Sequence, residues 1–442
     1  MKPDTRAIIL LPLMLISLVT FLHPAAADNG RPCRSEGLSL RLVPNTGWNS
    51  TMHVDRDGFL HLDEAATTTL RPHIRGPRGL TYSVATTVGT GHGRRTYDLE
   101  LDTASSLTWM QCVPIARPFT QVPPPFNPLA SPSFRRVSRV STLCNGPSTR
   151  KECEFRATRL DGARVSGVLV NETVAFTDDA EVHGVVIGCA HTTTGFHSHE
   201  VLAGVLGLGK QRPSLIWTRL HQHGQDGRFS YCLSGPGHPN RHGFLQFGAD
   251  VPATGHMRST KILYVRMTDP EFSPYHVGLT GVSVAGLPLS LPHGRIKELF
   301  QRRKLHDGRW SNGCVIDPGT GMTVMIKPAY DLLVHAVEER VRRLGLPKVE
   351  GNQYPVCFRG ATRAAFEHLP TVTLHLDNDL VLRPQQLFVL VHQDACLTVM
   401  PSEHITIIGA MQQVNTRFVY DVAAGRIHFA HEDCHGDMGG QN

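Results

Sequence analysis

The chain has 442 residues, a net charge of +6, 40% hydrophobic and 19% charged residues. That length exceeds the ~100–200 residues of an average domain, so two packed lobes or one large β-rich domain is expected, and the composition excludes global disorder. Basic residues never collect into a run and aromatics are not interleaved with them, so no nucleic-acid surface is indicated. Forty-one Gly and thirty Pro favour many turns and short strands over long helices.

The first thirty residues point to a compartment. Lys2 and Arg6 precede an apolar run from Ala7 to Leu22 that ends in His23-Pro24-Ala25-Ala26-Ala27. A charged head, apolar middle and small-residue tail make residues 1–27 a secretory signal peptide, with cleavage expected after Ala27. Sixteen apolar residues broken by Pro12 are short for a membrane anchor, and no later apolar stretch reaches the ~18 residues of a span. Ten Cys without a C-x-x-C pair fit disulfides in an oxidising compartment better than a structural zinc site. Asn49 and Asn171 lie in glycosylation sequons and fit the same route.

Residues 28–75 read as a separate segment, either a removable pro-segment or the first strands of the body. From Tyr82 onward, strand-like alternations separated by Gly, Pro, Asn and Asp dominate. Two helices are expected, from Pro213 to Gly224 and from Pro328 to Gly345; the second carries Leu333, Val337, Val341 and Leu344 at helical spacing.

One long-range repeat stands out. Asp102-Thr-Ala-Ser-Ser-Leu-Thr-Trp-Met110 lies over Asp317-Pro-Gly-Thr-Gly-Met-Thr-Val-Met325 without a gap. Each copy is followed by two apolar residues and a Gly, Val205-Leu206-Gly207 and Ile407-Ile408-Gly409. Two halves on one plan imply a duplicated all-β architecture, with few short helices and a pseudo-twofold axis. Such an axis would bring Asp102 and Asp317 face to face in a cleft. Two adjoining carboxylates share one proton, so one can take a proton from water while the other polarises a carbonyl. Small residues after each Asp, Ala104 and Gly319, allow backbone N–H groups to approach, and the Ser105 and Thr320 hydroxyls can donate to the outer oxygens.

With these residues the chain resembles the pepsin-like aspartic proteases, and within them the plant nepenthesin-like branch, from about Tyr82 to Cys434. Leu101 to Cys112 looks like the first active-site strand with its Trp109. Gly204-Val-Leu-Gly-Leu-Gly209, Phe229-Ser-Tyr-Cys-Leu233, Tyr275 to Val282 and Thr406-Ile-Ile-Gly409 resemble later signatures of that branch. The resemblance implies a bilobal β-fold, with an N-terminal lobe at 76–262 and a C-terminal lobe at 263–442. It implies Asp102 and Asp317 as catalytic residues, an extended peptide or protein substrate, no cofactor and no metal, and a monomer. Leu38 to Val43 is similar to the opening of the family's pro-segments, so 28–75 is expected to be one. The resemblance also supports Cys144 with Cys153, and Cys357 with Cys396. Of Cys112, Cys189, Cys232, Cys314 and Cys434, the buried-strand position of Cys314 marks it as the one left unpaired.

Three departures fall at the site. Ala104 replaces a Gly and adds a Cβ where the backbone nears Asp102. Pro318 replaces a Ser or Thr whose hydroxyl and N–H cross-link the two active-site loops, and Pro has neither; Thr103 keeps its half. In the flap hairpin, placed at Cys153 to Thr173, Arg159 stands where the family has a substrate-covering Tyr. Candidate metal sites at His197-Ser-His199 and His238 to His242 are read as solvated loops. The leading expectation is a secreted aspartic endopeptidase, of reduced activity, placed in the apoplast or alternatively the vacuole. The competing expectation is a catalytically impaired homologue that binds or inhibits an enzyme, as plant xylanase inhibitors do.

Overall fold

Alternating runs punctuated by Gly and Pro fold into strands almost throughout, in a computed structural model that describes residues 38–44, 52–54, 60–62, 81–144, 152–159, 162–177, 180–196, 202–216, 227–235, 243–265, 273–304, 310–349 and 354–434. The chain divides after Arg34, and all of these residues belong to the second unit, Ser35–Asn442. The expected signal peptide, Cys33, Asn49, most of the expected pro-segment, the candidate His pairs and the end of the helix expected at 213–224 lie outside the described residues.

The N-terminal half contributes β1 (Leu38–Pro44), β2 (Tyr82–Val88), β3 (Arg95–Asp102), β4 (Thr108–Gln111), β5 (Glu154–Thr158), β6 (Arg164–Thr177), β7 (Ala180–Thr194), β8 (Gly204–Gly207), β9 (Arg228–Cys232), β10 (Gly243–Phe247) and β11 (Arg258–Leu263). The C-terminal half adds β12 (His276–Val277), β13 (Cys314–Ile316), β14 (Thr323–Ile326), α1 (Lys327–Arg342), β15 (Val399–Ser402), β16 (Thr406–Ile408), β17 (Thr416–Asp421) and β18 (Arg426–His431). Helix α1 is the one foreseen from Pro328. It starts with Pro at its first turn and buries Leu333, Val337 and Val341 against the core.

The two halves repeat one local topology. In the first, β8 runs parallel to β3 and antiparallel to β4, and β7 runs parallel to β4. In the second, β16 runs parallel to β13 and antiparallel to β14, and β15 runs parallel to β14. The matched Gly residues are required by these crossings. A Cβ on Gly207 would lie 2.7 Å from the Leu107 carbonyl carbon, and one on Gly409 would lie 2.5 Å from that of Met322. The matched Thr residues have a job too: Gly207 N–H donates to Thr108 Oγ1 at 3.1 Å, and Gly409 N–H to Thr323 Oγ1 at 3.0 Å.

An antiparallel sheet joins the halves, in the order β2, β1, β10, β9, β17, β18, β11. Strand β1 comes from the segment ahead of the body yet lies inside this sheet, with Leu40 and Leu42 buried. Cys232 of β9 is bonded to Cys434, just beyond β18, which ties the chain's end to the first half. The other bonded pairs are Cys112–Cys189, Cys144–Cys153 and Cys357–Cys396, and Cys314 is buried and free.

Candidate active site

Strands β3 and β13 deliver Asp102 and Asp317 to tight turns, and the turns face one another. Asp102 Oδ1 accepts the N–H groups of Ala104 at 2.6 Å and Ser105 at 2.9 Å, and its Oδ2 accepts the Ser105 hydroxyl at 2.7 Å. Asp317 repeats the pattern, with the Gly319 N–H at 3.0 Å on Oδ1 and the Thr320 hydroxyl at 2.9 Å on Oδ2. A Cβ on Gly319 would stand 3.2 Å from the Cβ and the carboxyl carbon of Asp102. Asp317 is 4% exposed. Burial first, and then the charge of Asp102, push its carboxyl above the ordinary 3.8, against the bonds from Gly319, Thr320 and Thr103.

The link between the turns is one-sided. Thr103 donates its N–H to Asp317 Oδ1 at 3.2 Å and its hydroxyl to the Ile316 carbonyl at 3.1 Å. Pro318, its counterpart in the repeat, has no N–H and no hydroxyl to return. The Ala104 methyl does not hold the backbone off: its N–H is nearer to Asp102 than the Gly319 N–H is to Asp317.

A buried strut lies beneath Thr103 that sequence reasoning did not reveal. The Tyr420 phenol lies beside the Thr103 hydroxyl and 3.1 Å from the phenol of Tyr231. Tyr231 in turn donates to Gln413, and Gln413 donates to the Ile408 carbonyl at 2.7 Å. That same carbonyl accepts the Asp317 N–H at 3.1 Å, so the chain of bonds closes on the second carboxylate. Tyr231 lies in the Phe229 to Leu233 stretch that resembles a family signature, but nothing in the sequence joins it to Tyr420 or Gln413.

Strands β5 and β6 form the hairpin expected at Cys153 to Thr173. Arg159 lies at its tip, where its guanidinium meets the Glu100 carboxylate at 2.6 Å. Trp109 is buried against Phe119 and Phe196, in a cluster with Phe155 and Leu169 of the hairpin strands. Asn171 lies midway along β6, half-buried and paired with Val186 of β7. Among the described residues no group of three or more His, Cys, Asp or Glu could hold a metal ion.

Two similar β lobes, each presenting one carboxylate in a matching turn, define a pepsin-like architecture. Residues 84–249 match the family model "Xylanase inhibitor N-terminal" and residues 274–431 match "Xylanase inhibitor C-terminal". Aspartyl protease family protein 2 of Arabidopsis thaliana is 30% identical over 360 residues, 79% of this chain and 70% of that protein. Aspartic proteinase nepenthesin-1 of Nepenthes gracilis is 26% identical over 385 residues, 83% of each chain. The crystal structure of basic 7S globulin from soybean has the same fold, with a TM-score of 0.64 at 16% identity, covering 91% of this chain and 98% of that one. That of edgp aligns with a TM-score of 0.62, also at 16% identity, over 91% of this chain and 96% of its own. The chain belongs to the plant branch of the pepsin-like aspartic proteases, the branch of the nepenthesins.

Proposed function

We propose that the protein is a secreted aspartic endopeptidase that hydrolyses peptide bonds in an extended chain, with a slowed chemical step. The observation that carries this reading is the pair of facing carboxylates, each supplied with two kinds of donor by its own turn. Asp317, buried and shifted upward, keeps the shared proton and donates it to the scissile carbonyl oxygen. A water between the carboxylates gives its proton to Asp102 and its oxygen attacks the carbonyl carbon. The tetrahedral product then collapses as the C–N bond breaks, the leaving nitrogen taking that proton from Asp102 while one hydroxyl of the product returns its proton to Asp317. The missing bonds from Pro318 leave Asp102 less firmly placed, and misplacement of this kind is costly to rate.

On this reading residues 1–27 direct secretion to the apoplast, residues 28–75 are a pro-segment, and the product is a monomer. No helix among the described residues is long and apolar enough to cross a membrane. A second reading, a binder or inhibitor that uses the same cleft without cutting, is favoured by Pro318 and by the ion pair that pins the hairpin tip. Digestion of an unfolded protein at acid pH separates the two. The expected outcome is cleavage that disappears in Asp102→Asn and in Asp317→Asn. No cleavage by folded protein nicked between Pro44 and Tyr82 would overturn the endopeptidase reading.

A further inference from the structure

The ion pair at the hairpin tip occupies an unusual place. Glu100 lies two residues before Asp102 on β3, so the period of two along a strand puts both side chains on one face. Strands β2 and β8 flank β3 at this point, pairing Glu100 with Ser83 and with Val205. The Glu100 side chain is 7% exposed and that of Arg159 is 35% exposed, so the buried carboxylate meets the outside chiefly through a half-exposed guanidinium. Arg159 is carried by a tight turn, its carbonyl accepting the Gly162 N–H at 3.0 Å and its N–H donating to Ala163 at 2.8 Å.

Because Arg159 bonds Glu100 on the same face of β3 as Asp102, a peptide laid against Asp102 along that face would meet this tip, and lifting the tip would break the pair. A neutral or acidic peptide side chain then leaves a buried carboxylate without a counter-ion, which is strongly unfavourable. A lysine or arginine side chain restores the pairing and frees Arg159 for solvent. We propose that Glu100 is a specificity-determining residue, whose carboxylate takes a basic side chain of a bound peptide beside Asp102, with Arg159 as the internal stand-in that the peptide displaces. This rests on the cleft being a peptide site, as in the function proposed above, but not on turnover.

The test is calorimetric binding of reduced-amide hexapeptides, with Lys, Leu or Glu placed before or after the reduced bond, to the purified secreted protein. In one of the two positions the Lys peptide should bind about tenfold tighter than the Leu and Glu peptides, a partly exposed pair being worth less than a fully buried one. Glu100→Gln should erase that preference. Arg159→Gln should tighten the Lys peptide further, because its competitor is gone, whereas a merely structural pair would make both variants bind worse. Equal affinity for Lys and Leu peptides, a preference that survives Glu100→Gln, or no binding by any peptide overturns the proposal. Turnover, measured separately, distinguishes the two readings. A basic preference in binding without cleavage overturns only the endopeptidase, and cleavage without a basic preference overturns only the role of Glu100.

Discussion

Pro318 is the residue at which this site differs most from its own internal copy. Thr103 reaches across to the other turn through both its N–H and its hydroxyl, and a residue at 318 could mirror this only with an N–H and a hydroxyl of its own. Pro318→Ser supplies both, and should raise kcat on a peptide by about tenfold, or ~1.4 kcal/mol of barrier, with KM little changed. Ala104→Gly should add nothing by itself, since the backbone already reaches Asp102. Tyr420→Phe removes the phenol beneath Thr103 and should lower kcat more than it alters KM, because Tyr420 is buried and touches no substrate. Asp317 has a second consequence. Its carboxyl is raised in the fold, so its contribution to stability is complete below the ordinary 3.8 and is lost as pH climbs through the raised value. Asp317→Asn should therefore abolish cleavage yet raise the melting temperature at neutral pH by about 1–3 °C, with no comparable gain in acid. A parent and variant that melt alike at neutral pH would contradict this.

Among the elements, the paired crossings of β8 over β4 and β16 over β14 explain why the duplication was readable. Each matched residue has a local duty that only a few residue types perform: an Asp in the turn, a hydroxyl three positions on, a Thr that caps a buried N–H, a Gly that lets backbones touch. Thr108→Val and Thr323→Val should each leave a buried N–H unsatisfied, at a cost of about 1–3 kcal/mol in chemical denaturation. If one is silent, the two crossings are not equivalent in energy. Helix α1 was legible for a similar reason, because its apolar spacing and its leading Pro are local. The strut of Tyr420, Tyr231 and Gln413 was not, since its members are brought together from distant strands and carry no spacing signal. Glu100 also went unnoticed. It reads as one more polar residue in an alternating strand, and only the hairpin tip, arriving from Arg159, gives it meaning.

For the molecule as a whole, the bond between Cys232 and Cys434 spans 202 residues and closes the sheet that joins both halves. Loop-closure arguments give such a long cross-link about 2–5 kcal/mol of stability, so Cys434→Ala should lower the denaturation midpoint by that margin while sparing the two turns. Strand β1 has a different reach. It is paired on one side with β10 and on the other with β2, and Leu40 and Leu42 each bury enough apolar surface for about 1.5–3 kcal/mol. A nick between Pro44 and Tyr82 would cut the covalent path and leave every one of these contacts in place. The processed protein should then be a two-chain complex, in which a short N-terminal peptide co-elutes with the body on a native column and parts from it in denaturant. A peptide that leaves under native conditions would show that some other stretch of chain has taken over the gap between β2 and β10.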